Sequence, residues 1–164
     1  MSRKFLIIFY FLLSCAITLP VTHAEQATLK PFAPGSYQQL LDSNANKPFM
    51  LVVWSITCSS CLKDMALLNK LHKAHPNINM VMLATDDASA TEKIQQILAK
   101  NELAGLENWL FADENPQKLR YEIDPKWYGE QPRTYFLNKK HEREGISGVL
   151  SQEDYESRFK KMLN

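Results

Sequence analysis

The sequence predicts a single α/β domain whose central mixed β-sheet carries helices on both faces. Three observations support this. Short apolar, partly β-branched runs alternate with segments of helical periodicity along most of the chain. The alternation then gives way to two strand-like runs joined by a short polar turn and to one closing amphipathic segment, which adds antiparallel strands to a sheet that begins parallel. Finally, 45% apolar residues in 164 suit one solid core, and no internal repeat or low-complexity tract interrupts them.

The N-terminus is of another kind. A basic tip, Arg3-Lys4, precedes an apolar run from Phe5 to Ile17, then Pro20 and the small-residue pattern Thr22-His23-Ala24. This is the pattern of a secretory signal peptide, residues 1–24, with cleavage after Ala24. The run is short against the ~20 residues a membrane span needs, so an uncleaved anchor ranks below cleavage. Leu12-Leu13-Ser14-Cys15 resembles a lipobox, and lipidation of Cys15 also ranks second, because the apolar run continues past it. The expected location is therefore exported, periplasmic or extracytoplasmic, with a membrane tether as the alternative. Loss of Arg3 and Lys4 lowers the 19 basic residues to 17, against 18 acidic ones. That balance offers no electrostatic footing for nucleic acid.

The remaining elements follow in order. Residues 25–47 read as a polar, extended lead-in with Pro31 and Pro34, then a short helix from Tyr37 to Ser43, with Ser36 as its N-cap and Leu40 and Leu41 inward. The main domain is expected over 48–164. Phe49 to Trp54 is a buried strand. Leu62, Met65, Leu68 and Leu71 repeat at helical spacing until Pro76. Asn79 to Thr85 is a second strand, and Asp87 or Ser89 caps a helix from Thr91 to Asn101. Glu107 to Ala112 is a third strand, and Asn115-Pro116 opens a helix ended by Asp124-Pro125. Strands at Thr134–Asn138 and Gly145–Val149 flank a polar turn. Ser151 with Asp154 forms a capping box for a last helix whose inner face is Tyr155, Phe159 and Met162.

The chemistry is concentrated where the first central strand meets its helix, at Cys58-Ser59-Ser60-Cys61. Thiols at i and i+3 share one side of a helix's first turn and can join in a disulfide. Cys58 falls among unpaired backbone N–H groups at the positive end of the helix dipole, which favours its thiolate. Cys61 lies one turn deeper, where a resolving thiol belongs. C-x-x-C between strand and helix in a βαβ pattern is a thioredoxin-like redox signature. A structural clip would close a loop too small to add much stability. Half a zinc site would need two more ligands, and there is no second cysteine pair.

These residues together resemble the exported TlpA/ResA-type thioredoxin-like thiol–disulfide oxidoreductases, from about Pro48 to the C-terminus. Trp54 stands four residues before Cys58, Asp64 three after Cys61. Gln131-Pro132-Arg133-Thr134-Tyr135-Phe136-Leu137 resembles a cis-proline followed by a strand, and Gly148-Val149-Leu150-Ser151 suits the approach to the last helix. The chain departs from the pattern at Thr57 (usually Trp), Ser60 and Ala66 (often Pro), Val52 (a buried Asp in thioredoxin) and Glu130 (no Gly two residues before the proline).

The resemblance implies a thioredoxin-like fold and disulfide exchange without a cofactor, with a protein dithiol or disulfide as substrate. The upstream electron donor would be a membrane thiol–disulfide transporter. It implies Cys58 as attacking thiolate, Cys61 as resolving thiol, and a cis Pro132 beside them. Gln131, Pro132 and Thr57 become the positions that meet substrate, Gln131 by backbone pairing. Asp64 either takes the proton of Cys61 or is a solvated acid favoured by the dipole. Ser59 and Ser60 either bond the Cys58 sulfur or are ordinary helix-start residues. Arg133 either raises the local potential or is an exposed strand-start residue. Two other functions stay open: a copper-binding module with His141 as third ligand, and a redox-inactive adaptor.

Overall fold

The computed structural model describes residues 26–163. The expected signal peptide and Cys15 lie outside them. Six strands form one sheet: β1 (Leu29–Phe32), β2 (Phe49–Trp54), β3 (Asn79–Ala84), β4 (Glu107–Phe111), β5 (Arg133–Leu137) and β6 (Arg143–Ser147). Five helices accompany them: α1 (Ser36–Ser43), α2 (Ser59–Ala74), α3 (Thr91–Lys100), α4 (Pro116–Ile123) and α5 (Gln152–Leu163). The strand order is β1-β4-β3-β2-β5-β6. The β1–β4, β4–β3 and β3–β2 pairs are parallel, and β2–β5 and β5–β6 are antiparallel.

Alternation along the strands divides the core in two. Met50, Val52 and Trp54 of β2 face α2, α3 and α5, packing against Met65, Leu68, Ile94, Leu98 and Phe159. Phe49, Leu51 and Val53 face the other way, toward Leu40 of α1 and Leu119 and Ile123 of α4. A central strand covered on both faces needs the continuous apolar run that Phe49–Trp54 supplies, and all six of its residues are buried.

The helix ends follow from local chemistry. Asn115 Oδ1 accepts from Lys118 N–H at 3.2 Å to cap α4. At α5, Asp154 N–H donates to Ser151 Oγ at 3.1 Å and Ser151 N–H donates to Asp154 Oδ2 at 3.0 Å, the reciprocal bonds of a capping box. Asp87 caps a single 3₁₀ turn, Ala88–Ala90, that leads into α3.

Three expectations are corrected. The extended lead-in, read without a strand, contains one: Leu29–Phe32 pairs with β4 from Leu29↔Asn108 to Phe32↔Phe111, and Phe32 stacks on Phe111 with ring centroids 5.7 Å apart. Pro31 is tolerated because β1 is an edge strand, where a missing N–H breaks no second ladder. Residues 26–47 thus share the sheet and core of the rest. The last strand begins at Arg143, two residues early, because the turn closes tightly around His141 at φ 59°. Leu62, expected on the inner face of α2, is 37% exposed.

Candidate active site

The β2–α2 junction carries the site. Cys58 is the N-cap of α2, with extended φ and ψ of −87° and 98°, and its Sγ accepts from Cys61 N–H at 3.1 Å. The two cysteines form a disulfide, with Cα atoms 5.2 Å apart. Burial divides them: Cys61 is 1% exposed and lies in the core with Trp54 and Met65, while Cys58 is half-buried at the helix tip. An incoming thiolate therefore reaches the sulfur of Cys58 first. The N–H that now points at this sulfur is placed to stabilise its thiolate once the disulfide is reduced. Ser60 Oγ lies 3.4 Å from Cys58 Sγ, so of the two serines Ser60 is the one that touches the sulfur, and Ser59 is exposed.

Pro132 is buried, and the Gln131–Pro132 peptide is cis. Val53 pairs with Arg133, so Pro132 lies level with Trp54, beside the loop that carries Cys58. The Pro132 carbonyl accepts from Gly148 N–H at 2.8 Å, which joins this loop to the β6–α5 turn. Gly129 takes φ +104° in the approach, supplying left-handed freedom one residue before Glu130. Gln131 is tied by its side chain, Nε2 donating to Thr85 Oγ1 at 2.6 Å. Thr57 is exposed, directly before Cys58.

Asp64 is 8% exposed, which corrects the solvated-acid reading. Burial raises its carboxyl above the ordinary carboxylate range. Val52 being apolar, Asp64 is the one buried acid on this face among the described residues. Its neighbour Tyr155 is pushed up to about 12, mainly by burial, with a hydrogen bond to Thr134 opposing and the charge of Asp64 adding to the rise.

Arg133 fits neither reading made for it. Strand alternation turns it away from α2, onto the face of α1 and α4. There its guanidinium, 14% exposed, pairs with Asp124 at 3.0 Å. His141 Nε2 bonds the Asn44 carbonyl at 3.0 Å and its ring packs on Phe49, at the end of β2 opposite the cysteines. It cannot serve as a third ligand with them, which removes the copper-site geometry.

Sequence reasoning missed Asp86. Its Oδ1 accepts from Ser55 Oγ at 2.7 Å and its Oδ2 from Ile56 N–H at 3.1 Å. No local signal marks this role, since Asp86 lies past the end of a different strand.

Comparison with family models and with curated proteins finds no match. Solved structures do match. A secreted Mycobacterium tuberculosis disulfide oxidoreductase, described as homologous to E. coli DsbE, is 20% identical with a TM-score of 0.60, over 73% of this chain and 85% of its own. A thiol:disulfide interchange protein of the thioredoxin family from Chlorobium tepidum is 16% identical with a TM-score of 0.60, over 76% and 85%. StoA from Bacillus subtilis is 18% identical with a TM-score of 0.54, over 71% and 84%. At these identities the likeness concerns architecture, and the architecture of this chain is the thioredoxin-like fold shared with disulfide oxidoreductases.

Proposed function

We propose that the protein is an exported thiol–disulfide oxidoreductase of the TlpA/ResA type that reduces disulfides of a partner protein. One observation carries the reading: two joined sulfurs at a helix tip, the outer accessible and the inner buried. In the reduced protein, Cys58 loses its proton and its thiolate attacks one sulfur of the partner's disulfide. The Cys58–partner bond forms, the partner's bond breaks, and the other partner sulfur leaves as thiolate and takes up a proton. Cys61 then passes its proton to Asp64 and attacks Cys58 Sγ. The protein's disulfide forms and the second partner sulfur leaves reduced. Two electrons have passed from the protein's dithiol to the partner. An upstream dithiol, supplied through a membrane thiol–disulfide transporter, returns them. The raised carboxyl of Asp64 suits it to this transfer, since a base works best with an affinity near that of the proton's donor. Gln131 and Thr57 frame the surface where an extended substrate segment lies, Gln131 by its backbone.

No helix among the described residues is long and apolar enough to cross a membrane. Export rests on the N-terminal pattern of residues 1–24. The test is a trap. Cys61→Ser protein, expressed in the exporting compartment, accumulates partners disulfide-bonded to Cys58, and mass spectrometry identifies them. Absence of any Cys58-linked species, with the wild-type protein inert toward oxidised glutathione, overturns the reading.

A further inference from the structure

We infer that Asp86 is a positioning residue for this exchange, holding the turn that presents Cys58. The inference rests on the redox reading above and adds a residue to it. Three N–H groups lie between Trp54 and α2 in the segment Ile56–Cys58, and each is satisfied through Asp86 or through the serine it holds. Ile56 N–H donates to Asp86 Oδ2 at 3.1 Å. Thr57 N–H donates at 3.1 Å to Ser55 Oγ, which itself donates to Asp86 Oδ1 at 2.7 Å. Cys58 N–H donates to the Ser55 carbonyl at 3.2 Å. Ser55 is 5% exposed and also meets Thr57 Oγ1 at 2.9 Å, so its hydroxyl is the buried hub of the turn.

The preceding residue does the same for the other half of the site. Thr85 N–H donates to the Trp54 carbonyl at 3.0 Å, and Thr85 Oγ1 accepts from Gln131 Nε2 at 2.6 Å. Two consecutive residues past β3 therefore tie down both the loop before Cys58 and the residue before Pro132. A carboxylate that accepts two hydrogen bonds at fixed angles is a stronger and more directional anchor than a neutral acceptor.

The consequence lies in the thiol's chemistry. Cys58 profits from the Cys61 N–H only while it keeps its N-cap geometry. A released turn lets the sulfur drift from that donor, and the thiolate loses its stabilisation. The carboxylate's own charge acts the other way, because a nearby negative charge disfavours thiolate. The two contributions separate by substitution. Asp86→Ala removes both the anchor and the charge. Asp86→Asn keeps the shape, its Oδ1 accepting from Ile56 and its amide donating to Ser55 Oγ, and removes only the charge.

The experiment follows Cys58 alkylation by iodoacetamide against pH in reduced protein, the site located by mass spectrometry, with thermal unfolding of each variant alongside. Asp86→Ala raises the pH midpoint by about one unit, so alkylation below the midpoint slows about tenfold. Asp86→Asn leaves the midpoint at or below that of wild type. Ser55→Ala, which removes the hub and keeps the bond to Ile56, shifts it upward by less than Asp86→Ala. A purely structural Asp86 would lower thermal stability and leave the midpoints together. The inference is overturned if Asp86→Ala matches wild type, or if Asp86→Asn rises as far as Asp86→Ala. Should Asp86→Ala not fold, Asp86→Asn raised above wild type with Ser55→Ala unshifted overturns it equally. Alkylation needs no partner, so a failure here is separate from wild-type inertness toward glutathione, which would defeat the redox reading itself.

Discussion

Asp64 and Asp124 are buried alike, 8% and 7% exposed, on opposite faces of the sheet. What surrounds them differs. Asp124 ends α4 and sits between two arginines, Arg133 Nη2 at 3.0 Å and Arg143 Nη2 at 3.2 Å, and it also accepts from Lys126 N–H at 3.1 Å. Both guanidiniums lie over the ring of Tyr135, at 4.9 and 5.5 Å from its centroid. Asp64, among the described residues, takes part in no ion pair. A buried acid with two cationic partners is committed to holding structure. A buried acid without one keeps its affinity for a proton, and burial raises that affinity. Burial alone therefore does not mark a functional acid, and the partner decides.

The largest expected effect comes from breaking the committed side. Asp124→Ala leaves the largely buried Arg133 and the more exposed Arg143 without their shared counter-charge and costs roughly 3 kcal/mol, the low end for a broken buried pair because solvent reaches Arg143. Urea unfolding of the oxidised protein reads this, and a loss under about 1 kcal/mol would mean the arginines find other partners cheaply. Next in size is Gly145. A Cβ there would stand 2.5 Å from both Arg133 Nη2 and Tyr135 Cε1, so Gly145→Ala pushes the Arg133 side chain off its seat. The expected cost is about 1–3 kcal/mol, and an Asp124→Ala background should shrink it, since the seat is then already lost.

The uncommitted side gives the smallest effect on stability and the clearest sign. The folded carboxyl of Asp64 holds its proton to higher pH than the unfolded one. Stability is therefore lost as pH rises from the ordinary carboxylate range through the raised folded value, and is flat above it. Asp64→Asn removes that loss. The variant is slightly more stable than wild type at neutral pH, and the gain fades as pH falls toward 4, the ordinary carboxylate value. A gain that does not change with pH would refute the desolvation argument. If Asp64 accepts the proton of Cys61, the same variant, with Cys61 intact, also releases the partner from its mixed disulfide with Cys58 more slowly, on the order of tenfold or more.

Much of this was legible in the chain. Phe49–Trp54 is apolar throughout because a doubly covered central strand must be, and helices beginning at Cys58, Asn115 and Ser151 announce themselves through spacing and caps. The redox pair was legible for the same reason: its i, i+3 geometry is local. β1 was not, because Lys30 and Pro31 within it and Pro34 just after it conceal a strand whose neighbour in the sheet, β4, lies far along the chain. Arg133 was misread because its face depends on the register with β2, and a one-residue change of register exchanges the faces. Asp86 left no trace, since its bonds join the far ends of two neighbouring strands.

By itself, then, the sequence determined the order of elements, the helix tip and the pair of sulfurs on it, all set by interactions within a few residues. Tertiary structure alone decided which sulfur is reachable, which acid is left without a cation and what holds the turn before Cys58. Those depend on water exclusion and on hydrogen bonds between strands, and both arise only when distant segments pack.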